Sequence, residues 1–220
     1  AQGVDTGGAG DQGIMYGFAT DETPEFLPRG LVFARRLTDK LTELRRTGEV
    51  AWLRPDGKSQ ITMHHGKAKV VLVSCQHDEN VSQAEIRKTV IEKVIYPSIP
   101  EEYRTLDLEI LTNPTGKFVI GGFSADTGLT GRKLAADSYG GIVPHGGGAT
   151  AGKDMTKVDR SAAVKARQVA IDLVKSGQAH ECLVSVAYAI GREEPVMLEI
   201  VNENAEKLPV NVGEWQVRAL

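Results

Sequence analysis

Five cations, Arg132, Lys133, Lys153, Lys157 and Arg160, share residues 121–160 with ten of the chain's 24 glycines. Glycine-rich backbone can turn its N–H groups into a concavity, and Arg and Lys supply the charge that a phosphate chain needs when it leaves water. The pattern therefore suits a polyphosphate. A surface loop without a task is the plain alternative, but uncommitted loops of this length are unusual in a compact domain. Carboxylates at Asp11, Asp126 and Asp159 add groups that suit a divalent ion or a substrate ammonium.

Two familiar phosphate motifs nearly match and are set aside. Gly147, Gly152 and Lys153 fit G-x-x-x-x-G-K, yet Asp154 stands where a P-loop places a Ser or Thr hydroxyl, and no apolar strand leads into the loop. Gly8, Gly10 and Gly13 fit G-x-G-x-x-G, but no strand-like run precedes them as a dinucleotide fold requires.

The elements that must carry these residues come next. A length of 220 residues suffices for one large domain or two small ones, and 41% hydrophobic with 25% charged residues is an ordinary globular balance. The 26 basic and 29 acidic residues give a net charge of −3, which argues against nucleic-acid binding through the phosphate backbone. No apolar run reaches the ~20 residues of a membrane helix, and the AQGVDTGG start lacks the pattern of a leader. Cys75 and Cys182 lie in apolar strand-like runs without metal-ligand spacing, so buried reduced thiols and a cytoplasmic setting are expected. The five histidines, at 64, 65, 77, 145 and 180, give no zinc pattern.

Residues 8–18 read as a loop feeding a buried segment, with Asp11 as a cap or turn residue. Ala34, Leu37, Leu41 and Leu44 recur at helical spacing before Gly48. Pro55-Asp56-Gly57 reads as a turn, and the two β-like runs that follow, broken at Gly66, as a hairpin with Lys58 where the turn enters its first strand. Ser82 and Glu85 open a second helix, with Ile86, Val90, Val94 and Ile95 as its buried stripe and Pro97 as its stop. A short strand, LDLEILTN, runs into a turn at Pro114 and Gly116, after which Phe118 heads an apolar run. Val158, Ala162, Ala166, Val169, Ala170 and Leu173 mark a third helix ending at Gly177, and two adjacent strands follow, joined through residues 191–194. The sum is α+β: layered sheet and helix repeats, with mixed or antiparallel sheets and helices on one face.

At GAGDQG (8–13), RPDGKSQ (54–60), NPTGKFVIGG (113–122), GLTGRK (128–133), DSYGG (137–141), HGGGATAGKD (145–154) and KVDRSAA (157–163), the chain resembles the S-adenosylmethionine synthetases, also called methionine adenosyltransferases. The motifs keep the family's order from about residue 8 to about residue 200. The resemblance implies a central-type domain at 8–119 and a C-terminal-type domain at 120–220, the latter carrying the glycine-rich loop and incomplete at its end. It also implies ATP and L-methionine as substrates. In this family the methionine sulfur displaces the triphosphate from the ribose 5′ carbon, and the tripolyphosphate is then cleaved to diphosphate and phosphate.

Carried over residue by residue, the resemblance puts Asp56, Gly57 and Lys58 at the ATP site, with Lys58 on the phosphates. Lys117 and Phe118 match the pair that holds adenine, although the family usually has Arg where Lys117 stands. Asp126 matches a carboxylate shared by ATP and methionine. Arg132, Lys133, Ala149 and Lys153 match the polyphosphate cradle, and Lys157 a methionine contact. Asp159 matches a metal position and Asp11 a residue at the reacting centre. Magnesium and potassium are the implied cofactors, and a homodimer with its active site between subunits, pairing again into a tetramer, the implied assembly. The family's N-terminal region, with its His-Pro-Asp-Lys motif and potassium-binding glutamate, has no counterpart in these 220 residues, and FSADTG around Asp126 departs from the usual run. Two readings follow: a synthetase whose N-terminal part is omitted here or supplied by another chain, and a non-catalytic relative that binds ATP, S-adenosylmethionine or a synthetase subunit.

Overall fold

The computed structural model describes residues 7–217 and 220. Most of the AQGVDTGG start lies outside those residues. The chain forms two compact units: Arg29–Gly128 is continuous, whereas the other joins the chain up to Pro28 with Leu129 onward.

In the continuous unit, α1 (Arg29–Arg46) buries Phe33, Leu37, Leu41 and Leu44 on one stripe. Ala34 is only half-buried, and its neighbour Phe33 fills the core instead. Arg45 and Arg46 complement the helix dipole in the last turn, and Gly48, at φ 74°, ends the run. Strands β2 (Leu53–His64) and β3 (Lys67–His77) pair antiparallel through a two-residue turn. His65 and Gly66 both have positive φ there, as a type I′ hairpin requires.

Two sequence expectations are corrected in this unit. Pro55-Asp56-Gly57 does not turn the chain but lies inside β2, as a bulge where Leu53 pairs His77 and Gly57 already pairs Cys75. Pro lacks the N–H that a regular ladder would use at that position, so the strand bulges around it. Pro97 does not stop the second helix either. Helix α2 (Gln83–Thr89), capped by Ser82 Oγ accepting from Glu85 N, continues through a π-helical stretch, Val90–Ile95, into Tyr96–Ser98. Pro97 cannot donate to the carbonyl four residues back, and the widened turn, with Tyr96 N donating to Ile91 O, absorbs that missing bond. The helical segments bury Ile86, Val90, Val94, Ile95 and Ile99 in the same cluster as α1 and the β3 residues Val71, Val73 and Cys75. Their crossover lets β4 (Arg104–Thr112) return parallel to β3, giving a mixed sheet of order β2-β3-β4.

In the split unit, β1 (Gly13–Thr20), β5 (Glu181–Tyr188) and β6 (Met197–Asn202) form an antiparallel sheet of order β1-β5-β6. Helix α3 (Val158–Lys175) lies on it through Ser161, Ala162, Ala166 and Ala170, residues small enough for close approach. At Gly17 a Cβ would stand 2.1 Å from the Ala166 carbonyl carbon, so no other residue fits there undisturbed. The helix ends in a Schellman motif, with Gln178 N donating to Leu173 O and Gly177 N to Val174 O. Both units are thus α+β.

Candidate functional site

The residues singled out by sequence divide between the two units. In the continuous unit, Gly57 and Ser59 face α1: a Cβ on Gly57 would meet Leu41 Cδ1 at 3.1 Å, and Ser59 Oγ donates to Ala34 O at 2.7 Å. Strand alternation therefore turns Lys58 to the opposite face. There its Nζ stands 5.8 Å from the centre of the Phe118 ring. Asp56, in the bulge, accepts from Gly122 N through Oδ2 at 2.9 Å, and Asp126 N donates to Gly122 O at 3.0 Å. The Asp126 carboxylate accepts from Gly128 N at 2.9 Å, closing a local turn. Lys117 points elsewhere, its Nζ 3.7 Å from Glu79, with both side chains 72% exposed.

The loop that carries Lys117 and Phe118 forms no strand, yet it is fixed. Asn113 is buried, accepts from Cys75 N at 2.8 Å and donates to Cys75 O at 3.0 Å. Gln76 accepts from Asp56 N at 3.2 Å and donates to Val119 O at 3.0 Å. His77, 1% exposed, donates its backbone N–H to Phe118 O at 3.0 Å. Its Nδ1 lies 2.8 Å from Asp78 O, which can only accept, so Nδ1 carries the hydrogen and Nε2 accepts from Phe118 N at 3.0 Å.

In the split unit the centre is Asp159, in the first turn of α3. Its carboxylate pairs with Lys153 Nζ, and the two side chains are 15% and 32% exposed. Gly148 and Gly13 leave the carboxylate room: a Cβ would come within 2.3 Å and 3.2 Å of Oδ1 respectively. Asp11, two residues before Gly13, is exposed and accepts from its neighbour Gln12 N. A Cβ on Gly131 would meet Ala149 Cβ at 2.9 Å, so the two turns that bear the predicted cradle touch. Arg132, Lys133 and Lys157 are exposed, and Arg160 Nη1 donates to Thr150 O at 3.1 Å. Tyr139 anchors the middle of the stretch, buried edge-on against Phe18 with ring centres 5.9 Å apart. Burial pushes its phenol pKa up.

Within each unit, then, the fold assembles Asp56, Lys58 and Phe118 in one set and Lys153, Asp159 and Ala149 in another. Sequence reading left Asn113, Gln76, His77 and Tyr139 without roles. The available signal was polar: Gln76 and His77 close a strand whose middle, residues 70–73, is apolar. A groove of about 420 Å³ in the continuous unit, lined by Trp52, Asp78, Glu79, Asn80, Val81 and Glu85, includes none of the predicted residues, and its carboxylates would repel phosphate. Among the described residues, no group of three or more His, Cys, Asp or Glu is arranged to hold a metal. The single carboxylate of Asp159, once parted from Lys153, fits magnesium, which takes one or two carboxylates and fills its remaining positions with water and substrate phosphates. Cys75 and Cys182 are buried and free, and burial pushes their thiols to about 12 and about 11.

Comparison with known proteins gives two consecutive family matches: the central domain of S-adenosylmethionine synthetase over residues 6–118, and its C-terminal domain over 120–216. The S-adenosylmethionine synthase of Pseudothermotoga lettingae is 51% identical over 207 residues, covering 91% of this chain and 52% of that protein. That of Thermus thermophilus is 50% identical over 212 residues, covering 94% and 54%. The chain spans about half the length of these curated relatives.

Proposed function

Because this chain belongs to the S-adenosylmethionine synthetase family, we propose that it supplies the nucleotide and polyphosphate sites of an enzyme that makes S-adenosylmethionine from ATP and L-methionine. The methionine sulfur attacks the ribose 5′ carbon, the C–O bond to the triphosphate breaks, and the tripolyphosphate is then hydrolysed to diphosphate and phosphate. The observation that carries this reading is the Lys153–Asp159 pair, laid against glycines and neighboured in sequence by further exposed cations.

Phe118 holds the adenine, joined by Lys117 once its exposed side chain turns from Glu79, while Lys58 takes phosphate charge from the open face of β2. Arg132, Lys133 and Lys153 meet the negative charge that grows on the leaving triphosphate, with the Ala149 backbone shaping the cradle. Lys153 exchanges Asp159 for phosphate oxygens as the nucleotide enters, which frees the carboxylate. Asp126 serves both substrates, and Lys157 pairs with the methionine carboxylate. Asp159 would hold magnesium, which supplies charge neutralisation on the phosphate oxygens, and Asp11 stands at the reacting centre. Potassium is the second proposed cofactor, and the glutamate that the family uses to bind it has no counterpart in these 220 residues.

The proposal includes the domain division at 8–119 and 120–220, supported by the boundary between the two family matches. It also includes a homodimer with shared active sites, assembling into a tetramer, in the cytoplasm, where buried free thiols persist. No described helix is long and apolar enough to cross a membrane.

The test is turnover. The 220-residue chain alone, with ATP, methionine, magnesium and potassium, is expected to form no S-adenosylmethionine, since forfeiting orientation of one reactant can cost ~7–11 kcal/mol of a barrier. Adding the N-terminal region of a relative restores product. Silence after that addition, with ATP still bound, favours the non-catalytic relative.

A further inference from the structure

We infer that Gln76 and His77 are positioning residues of the nucleotide site, an inference that rests on the reading of Asp56, Lys58 and Phe118 as that site. Both side chains spend their polar atoms on backbone rather than leaving them for a ligand. What they do is replace a strand. The loop after β4 contains Pro114 and leaves the ladder, so its backbone groups need partners from elsewhere.

His77 takes both backbone groups of Phe118: the N–H goes to Nε2 and the C=O to the His77 N–H, each at 3.0 Å. The peptide units flanking the ring are thereby set by a buried residue 41 positions earlier. The Asp78 carbonyl holds the imidazole in the tautomer that leaves Nε2 free to accept. Gln76 uses both ends of one amide. Its Oε1 accepts from Asp56 N, in the bulge two residues before Lys58, and its Nε2 donates to Val119 O, one residue after Phe118. Gly121 seals the arrangement, since a Cβ there would lie 2.6 Å from the Gln76 amide carbon. Lys58 and Phe118, which address opposite ends of a nucleotide, are thus tied through two adjacent side chains. A stacking ring costs less to order on binding when the backbone beneath it is already set, and the tie sets that backbone.

The measurement is calorimetric titration of the 220-residue chain with ATP and, separately, with tripolyphosphate, alongside amide hydrogen exchange at Phe118. His77→Ala and Gln76→Ala are expected to weaken ATP binding about tenfold while tripolyphosphate affinity stays within about threefold. In His77→Ala the Phe118 amide loses its exchange protection. His77→Gln, whose amide oxygen reaches the Nε2 position, recovers most of the ATP affinity. The inference is overturned if both alanine variants fold and bind ATP as the wild type does. It is equally overturned if ATP and tripolyphosphate affinities fall together, since that reports general loosening. Should His77→Ala fail to fold, the half-buried Gln76→Ala decides on the same criteria. A wild-type chain that binds tripolyphosphate but not ATP overturns the nucleotide reading and this inference with it. That outcome differs visibly from failure of the inference alone, in which the wild type binds ATP and the variants bind it equally well.

Discussion

The loop over residues 113–122 and the stretch over residues 129–157 are held by opposite means. The first is pinned by side chains: Asn113, Gln76, His77 and Asp56 all spend hydrogen bonds on backbone. The second leans on backbone and on missing side chains. Gly146 lies so close to Ile14 O that a Cβ would come within 1.8 Å, and Gly148 and Gly131 make similar approaches to Asp159 and Ala149. Its cations remain exposed, apart from Lys153. The difference follows from what each is proposed to grip. An aromatic platform works only in one orientation, whereas a polyphosphate is flexible and its attraction to cations falls off gently with distance.

The largest effect should come from unpinning. Asn113→Ala leaves Cys75 N and O without partners inside the core and places alanine at φ 41°, so a loss of about 2–5 kcal/mol in stability of the continuous unit is expected. Urea denaturation measures it, and a loss below about 1 kcal/mol would show that the loop is not pinned by that residue. In the leaning stretch, removing cations should damage binding rather than folding. Arg132→Ala and Lys153→Ala should each lower tripolyphosphate affinity by about 1.5–3 kcal/mol, seen by calorimetry, with unfolding temperatures nearly unchanged for Arg132→Ala. Unchanged affinity in both variants would remove the cradle assignment.

Gly146→Ala sharpens the contrast from the other side. The loop must shift to relieve the clash with Ile14 O, and about 1–3 kcal/mol is expected, less than for Asn113→Ala because an open loop can move whereas the groups left by the buried Asn113 side chain cannot reach water. The reverse order of the two losses would sink the comparison.

The smallest effect is alkaline. Tyr188 donates to Trp215 O, and burial raises its pKa from 10.0 to about 12. The raised folded value means that its contribution is intact below pH 10 and is lost as pH climbs through 12. Tyr188→Phe should cost about 1 kcal/mol at neutral pH and flatten the fall in stability between pH 10 and 12. A slope identical to wild type over that window would show that another group governs it.

The three helices α1, α2 and α3 were legible because their signals are local. Leu37, Leu41 and Leu44 in α1, and Val158, Ala162, Ala166 and Ala170 in α3, repeat at the helical period, while Ser82 and Gly177 mark ends through bonds to residues three to five positions away. Periodicity also exposed the hairpin and the final strand pair, and the motifs that carry the resemblance are short runs readable in place. Tertiary structure alone decided that β1 pairs β5, more than 150 residues away, that β4 returns parallel, and that Pro55-Asp56-Gly57 bulges instead of turning. It alone gave His77 to Phe118 and Lys153 to Asp159. A helix is a contract between near neighbours, so spacing encodes it. The partner of a buried polar group is chosen by whichever distant donor or acceptor the packed chain delivers within 3 Å or so, and nothing in the spacing of a single residue records that choice.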